Sequence, residues 1–519
     1  MSDEDVIDRD AALSSLPPEW KGDGNGAGDG GRAGGGVEAG LARTIAARVA
    51  GDDQTIVVLD DDPTGTQTVY DLPVLTVWSE AALDAEFGRG TPAFYVMTNS
   101  RSMGQEEAAA VGRAIAGRLR AAAARHGRRL SVISRSDSTL RGHYPLEIDV
   151  LAEALSGDSG DSGATTAANA ANANAIDGQI LVPFFLEGGR LTLDDVHYVA
   201  EGDRLVPAAQ TPFARDHAFG FTRSNLRDYV EEKTGGRIGR DDVESITLDD
   251  LRTGGPTRVR AKLSALRNMC ACIVNAVTMR DVQVFALGLL DAEARDGRRF
   301  LVRSAASFVQ ARIGLPKRPI LDAGRIRSKG GGAGAHGTGA GGGANGGLVV
   351  VGSYVPKTTR QLEELLRLDG VLKVEVAAAD LVDEAKRPTA IDATLAQVEA
   401  VLASGRDAVV YTSRDLVTGA TPAESLRIGN GVSDGLVSIV SRLTIQPSFI
   451  IAKGGITSSD VATKGLGIRR AMVLGQAAPG IPVWQIGEEG KFPGMSFVVF
   501  PGNVGTDDAL AKLVKSLSR

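Results

Sequence analysis

Short apolar runs, each ending in small or charged polar residues, recur along this chain between segments of helical period. "TIVVLDD" at 55–61, "VLTVW" at 74–78, "AFYVMTNS" at 93–100, "LSVISRSD" at 130–137, "QILVPFF" at 179–185 and "ACIVNAV" at 271–277 read as strands. "EEAAAVGRAIAGRLRAAAARHG" at 106–127 reads as a helix, rich in Ala and Arg with apolar residues near a 3.6 period. The pattern restarts at "GLVVVGSY", 347–354. A helix follows over "TTRQLEELLRL", then "VLKVEV", "DAVVYTS", a helix near Asp434 to Leu443, "SFIIAKGG", "IPVWQIG" and "SFVVFPGN". Such alternation predicts an α/β protein: two α/β domains with mainly parallel sheets covered by helices.

Composition adds the punctuation. The 65 glycines in 519 residues exceed the usual share of roughly 7%. Residues 327–347, "RSKGGGAGAHGTGAGGGANGG", hold 11 glycines and no large apolar side chain, so they cannot bury enough surface to offset their ordering entropy. Residues 22–40 and 156–177 have a similar character. The expected division is a disordered leader over 1–40 and a first domain over 41–325 carrying a low-complexity insert at 156–177. A Gly-rich linker over 326–347 and a second domain over 348–519 complete it.

The formal net charge of -7, without a long basic run, argues against a nucleic-acid or membrane partner. It leaves room for a local basic pocket and a small anionic substrate. No window reaches the roughly 18 apolar residues of a membrane span, and "MSDEDVIDRD" is acidic, unlike a targeting peptide, so the expected location is the cytoplasm. The two cysteines, Cys270 and Cys272, are spaced poorly for a disulfide or a zinc site and read as thiols near a strand. His143, His197 and His217 lack ligand spacing and read as packing or supporting residues. A homo-oligomer is allowed.

In open α/β sheets ligands lie beyond the carboxyl ends of strands, so the polar tails of the apolar runs are the candidate chemistry. The first tail crowds Asp60, Asp61 and Asp62 before Pro-Thr-Gly-Thr, an arrangement that costs free energy unless a cation or substrate compensates. Successive strand side chains alternate sides, so one of the three is as well read as a turn cap. "RSDSTLRGHYPLE" at 135–147 sets Asp137, Ser138 and Arg141 together, suited to a polyhydroxy acid or, equally, to a helix cap. "IIAKGGITSSDVA" at 450–462 places a Gly pair before a helix start, either a phosphate cradle or a tight turn. "FPGNVG" and Gly352-Ser353 are turns of the same kind, and no Walker A motif occurs.

Taken in order, "LDDDPTGTQ", "TNSRS", "SDSTLRG", "GGRLTLDDVHY", "TPFARD", "VVVGSYVPKTTRQ", "AKGGITSSDVA" and "FPGNVG" resemble the four-carbon acid sugar kinases. The resemblance implies a sugar-acid-binding N-terminal domain, a nucleotide-binding C-terminal domain and an inter-domain active-site cleft, with ATP and Mg2+ as cofactors. It implies that Asp62, Asp61 and Asp137 are catalytic, and that Thr64, Gly65, Ser100, Arg101, Ser138 and Arg141 bind the sugar acid. Ser353, Gly454, Gly455, Ile456, Thr457 and Gly502 would contact ATP. The chain departs from the family pattern at Asn275, where an acidic residue is usual, and at Asp194-Asp195. A catalytically silent sugar-acid-binding protein is the alternative, since a fold does not fix a function. A nicotinamide enzyme is disfavoured because the first strand–helix turn is "DDDPTG", not a Gly-x-Gly-x-x-Gly.

Overall fold

In the computed structural model, residues 5–22, 35–157, 175–327, 345–414 and 422–518 are described. The middles of the insert and the linker, 158–174 and 328–344, and residues 1–4 and 23–34 of the leader lie outside them. The chain separates into two units: residues 1–65 with 78–317, and residues 66–77 with 318–519.

The strands in chain order begin with β1 (Ile7–Asp8), β2 (Gln54–Asp60), β3 (Pro73–Leu75), β4 (Ala93–Met97), β5 (Arg129–Arg135) and β6 (Gly178–Val182). Then come β7 (Arg190–Leu193), β8 (Val196–Glu201), β9 (Arg204–Pro207), β10 (Glu244–Ile246), β11 (Cys270–Val274) and β12 (Phe300–Ser304). The last are β13 (Leu348–Val351), β14 (Leu372–Val376), β15 (Ala408–Thr412), β16 (Ile450–Lys453), β17 (Arg470–Ala478), β18 (Ile481–Ile486) and β19 (Ser496–Phe500).

In the first unit the order β10-β11-β6-β12-β5-β2-β4 is parallel throughout. Every residue of β2 and β4 is buried, which is why these strands read as unbroken apolar runs: a parallel strand is covered on both faces. A small antiparallel sheet, β1-β9-β8-β7, belongs to the same unit. Cys270 and Cys272 are free thiols on β11.

The expected disordered leader is corrected over residues 5–22. Ile7 and Asp8 pair with Leu205 and Arg204, Arg252 donates to the Pro17 carbonyl at 2.7 Å, and Glu19 meets Arg280 at 2.8 Å. Trp20 lies so close to Gly255 that a Cβ there would fall 2.5 Å from the indole nitrogen. A strand pairing, two charged contacts and one aromatic ring offset the ordering entropy of this segment, and residues 35–40 of the expected leader are likewise ordered, as the start of helix Gly35–Ala50.

The second unit has the order β3-β17-β18-β19-β16-β13-β15-β14, antiparallel from β3 to β19 and parallel from β19 to β14. Its β3 is the run "VLTVW", which the sequence order assigns to the first domain. Pairing with Arg470–Met472 of β17 places it here. Trp484 on β18, wholly buried, donates to Thr66 Oγ1 at 2.9 Å and fixes the same segment. Helices Pro356–Leu366 and Ala509–Leu517 contribute Leu362, Leu365, Leu510 and Val514 to a core with Val349, Ile451 and Val498.

Candidate functional site

The carboxyl ends of β2, β4 and β5 bring most of the predicted sugar-acid residues together. Asp60, the last residue of β2, turns inward: it is buried and lies 3.3 Å from Arg135 Nη1. Gly65 is needed because the chain folds back over this carboxylate, and a Cβ at 65 would sit 1.9 Å from an Asp60 oxygen. Asp61 and Asp62 take the other direction, toward Arg101.

Arg101 is the hub of the cluster. It donates to both oxygens of Asp61, Nε to Oδ2 at 3.1 Å and Nη2 to Oδ1 at 2.5 Å. Its Nη1 stands 3.6 Å from Asp62 Oδ2 and 3.9 Å from Asp137 Oδ1. Three carboxylates thus share one guanidinium, the compensation that their crowding requires. Asp61 also accepts from Ser136 Oγ at 2.8 Å. Asp62 caps its own turn, accepting from Thr64 N at 2.8 Å and Thr64 Oγ1 at 2.6 Å through Oδ1. That leaves Oδ2, 3.6 Å from Arg101 Nη1, as the oxygen outside the turn. Burial raises the Asp62 pKa, but the Arg101 charge and the Thr64 donors outweigh it, so the carboxyl is held below its ordinary value.

Asp137 accepts from Arg141 Nε at 2.7 Å and from Thr139 Oγ1. Burial is again outweighed, here by Arg141 and Arg101, and its pKa lies well below the usual range. Arg141 Nη1 is 3.6 Å from Asp216, in the "TPFARD" motif. Ser100 Oγ meets Thr98 Oγ1 at 3.1 Å, and the Ser100 carbonyl meets His143 Nε2 at 3.0 Å. Ser138 is buried, and its carbonyl meets His197 Nε2 at 2.8 Å. His197, wholly buried, has its pKa pushed down to about 4 by burial and acts as a neutral prop for the loop.

Arg303, the penultimate residue of β12, was not legible as part of this site. Its Nη2 donates to the Arg141 carbonyl at 2.9 Å and lies 3.3 Å from Ser136 Oγ, and its Nε pairs with Glu147 at 2.8 Å. It braces the loop that carries Asp137, Ser138 and Arg141. Asn275, at the end of β11, makes a reciprocal pair with Asp195: Nδ2 to Oδ1 at 2.7 Å and Asp195 N to Oδ1 of Asn275 at 2.8 Å. The two departures from the family pattern are therefore partners, with Ser245 and Arg227 completing the shell of Asp195.

The Asp60 carboxyl is pushed up to about 7, by burial first and by repulsion from Asp61 and Asp62, against the pull of Arg135. Its folded value lies above the reference value of 3.8, so the native state binds the extra proton. The stabilising contribution is full below about pH 4 and is lost as pH rises through about 7. Urea unfolding is therefore expected to show stability falling between about pH 5 and 8, and Asp60→Asn is expected to flatten that slope. An unchanged slope in the variant would assign the titration elsewhere.

In the second unit the ends of β13, β16 and β19 gather the remaining predicted residues. Gly454 has φ 110°, and a Cβ there would lie 2.8 Å from Ser353 Cβ. A Cβ on Gly352 would lie 2.8 Å from Thr457 Oγ1. The glycines thus let the turn at Gly352-Ser353 pack closely against the start of helix Gly455–Asp460. Ile456 is exposed and so projects away from the core.

Two cations absent from the predicted set stand beside these turns. Lys453 is fully buried, with Nζ donating to the carbonyls of Pro501 and Gly502 at 2.5 and 3.1 Å, and it ties the Gly502 turn to β16. Burial, assisted by Lys357, pushes its pKa down to about 7. Arg414, just past β15, donates Nη1 to the Ser353 carbonyl at 2.7 Å, while its buried Nε and Nη2 find no acceptor among the described residues. Orphaned guanidinium donors beside a glycine-lined turn fit a nucleotide phosphate. The sequence signal for Arg414 is "TSR", a charged residue two places after a strand, whereas Lys453 is the last residue of the buried β16.

Gly454→Ala is expected to weaken nucleotide binding about tenfold or more, since the added methyl meets Ser353 and φ is unsuited to alanine. Calorimetry with the nucleotide measures it, and unaltered affinity would reduce the turn to a purely structural one.

Comparison with known proteins gives this pair of sites a class. Residues 56–312 match the family model for a sugar-binding N-terminal domain, and residues 348–510 match that for a nucleotide-binding C-terminal domain. The protein is thus a two-domain sugar- and nucleotide-binding protein. The chain belongs to the four-carbon acid sugar kinase family. A Salmonella typhimurium LT2 structure, provisionally described as that of a tRNA synthase, is similar with TM-score 0.63 and 18% identity, over 90% of this chain and 99% of the other. A Haemophilus influenzae protein is similar with TM-score 0.56 and 18% identity, over 89% and 100%. At such identities the likeness is one of fold. No curated protein matches the chain. Among the described residues no helix is long and apolar enough to cross a membrane.

Proposed function

We propose that this protein is an ATP-dependent kinase that phosphorylates the terminal hydroxyl of a four-carbon sugar acid of the 3-oxo-tetronate, threonate or erythronate type. The observation that carries the reading is the convergence of Asp61, Asp62 and Asp137 on Arg101 at the carboxyl ends of β2, β4 and β5. Family membership, the glycine turns at Ser353, Gly454 and Thr457, and the unpaired donors of Arg414 among the described residues support the donor half.

ATP supplies the phosphoryl group when bound. Oδ2 of Asp62 accepts a hydrogen bond from the substrate hydroxyl, orients it and takes its proton as the new bond forms. Arg141, with only partial cover from Asp137 and Asp216, pairs with the substrate carboxylate, and Asp137 accepts from a neighbouring hydroxyl. Arg101 is a positioning residue: its guanidinium is largely committed to Asp61, and it keeps Asp62 ionised. Arg414 and the amides at Gly454–Thr457 hold phosphates. Among the described residues no group of three His, Cys, Asp or Glu is arranged to hold a metal. The donor set fits a magnesium ion carried chiefly by the nucleotide's own phosphates.

An ATP-consumption screen of the full chain over a panel of tetronates and 3-oxo-tetronates tests the reading. Turnover with at least one of them is the expected result. Binding of a tetronate without turnover would favour a silent sugar-acid-binding protein.

A further inference from the structure

The carboxylate cluster lies where the parallel strands of the first unit end. Where they begin, the same unit carries a cavity of about 490 Å3, lined by the starts of β2, β5 and β12. β2 spans seven residues, so the two edges are separated by roughly 20 Å of strand. The volume is that of a metabolite site. The chemistry of the wall is one-sided: it holds five arginines, Arg120, Arg128, Arg129, Arg298 and Arg299, and a single carboxylate, Glu293.

That carboxylate is already engaged, accepting from Arg312 Nη2 at 2.6 Å. Arg129 is engaged by Asp52 and Asp53, and Arg298 Nη1 by Asp177 at 3.1 Å. Arg120 and Arg128 have only neutral acceptors among the described residues. Arg120 donates to the Ala154 carbonyl at 3.1 Å, and Arg128 to the Gln54 carbonyl and Thr55 Oγ1 at 2.9 and 3.1 Å. Arg298 Nε is a buried donor with no acceptor among the described residues. Half-buried guanidinium groups without a counter-charge lose hydration and gain nothing in return, and several around one hollow focus a positive potential into it. An anion with several oxygens relieves both costs, and the planar fork of Arg matches phosphate oxygens.

We propose that this cavity is a second anion site, distinct from the catalytic cluster, that takes the phosphate group of a small phosphorylated metabolite. Arg120 and Arg128 supply the uncommitted charge, and Arg298 Nε the orphaned donor. The inference does not depend on the kinase reading, because no residue is shared between the two edges.

Inorganic phosphate, titrated into the full chain and followed by calorimetry and by thermal shift, is the probe. Arg120→Gln and Arg298→Gln are each expected to weaken its binding by about tenfold or more. Arg141→Gln and Gly454→Ala should leave this binding event as it is in the parent protein. Loss of phosphate binding in Arg141→Gln or Gly454→Ala, with the cavity variants unaffected, would overturn the proposal, as would the absence of saturable binding. Should Arg120→Gln lower the melting temperature without phosphate, Arg298→Gln carries the test, since Asp177, which loses its pairing with Arg298, keeps its hydrogen bond from Arg299 N.

Discussion

Asp62→Asn is expected to lower turnover by about 10² to 10⁴, the range for loss of a general base, while both ligands bind within a few-fold of the parent protein. Asparagine keeps the shape of the side chain and an oxygen that can still cap Thr64, so the turn at 62–65 should persist. What it loses is the Oδ2 acceptor that meets the substrate hydroxyl. The pH profile sharpens the test. With its pKa held below the ordinary value, Asp62 stays ionised throughout the neutral range. Its acid limb therefore lies below about pH 4, and none from this group should appear between about pH 5 and 8. Near-normal turnover in Asp62→Asn together with inactivity in Asp137→Asn would move the base to Asp137.

Arg101→Ala should be the most damaging single change. It is expected to destabilise the fold by about 3 to 5 kcal/mol, because Asp61 stays buried with its charge uncompensated while Asp62 and Asp137 repel it. In protein that still folds, turnover should fall by about 10³ or more, and the acid limb should move upward because the main influence lowering the Asp62 pKa is gone. Arg101→Lys restores the charge but not the two-pronged contact with Asp61, so it should recover stability better than turnover. Urea unfolding and a pH–rate profile read the two effects separately. An Arg101→Ala protein as stable and active as the parent would show that the cluster does not depend on its shared counter-charge.

Much of this architecture is legible because parallel strands are buried on both faces. "TIVVLDD", "AFYVMTNS" and "LVVVGSY" have no polar face to interrupt them, and the first polar residues past each run fall at the strand's carboxyl end. That is why Asp61, Asp62, Arg101 and Asp137, and in the second unit Ser353 and Gly454, are legible in the sequence as candidates. The supporting residues were not legible for the complementary reason. Arg303 lies within a strand, His197 on an antiparallel sheet far along the chain, and Lys453 inside a core, so local pattern assigns each of them to packing.

By itself, the sequence determined the local elements, the glycine-rich stretches and which polar residues follow each strand, because burial on two faces and turn stereochemistry act over a few neighbouring residues. Only the tertiary structure decided what depends on distant partners. The run "VLTVW" pairs with β17, almost 400 positions later. Residues 5–22 are ordered by β9 and Arg252. Of three adjacent aspartates, Asp60 turns to Arg135, while Asp61 and Asp62 turn to Arg101, a division set by which guanidinium the fold brings to each face. Electrostatic compensation is a matter of distance in space, and a run of like charges written along the chain does not say where its counter-charges will come from.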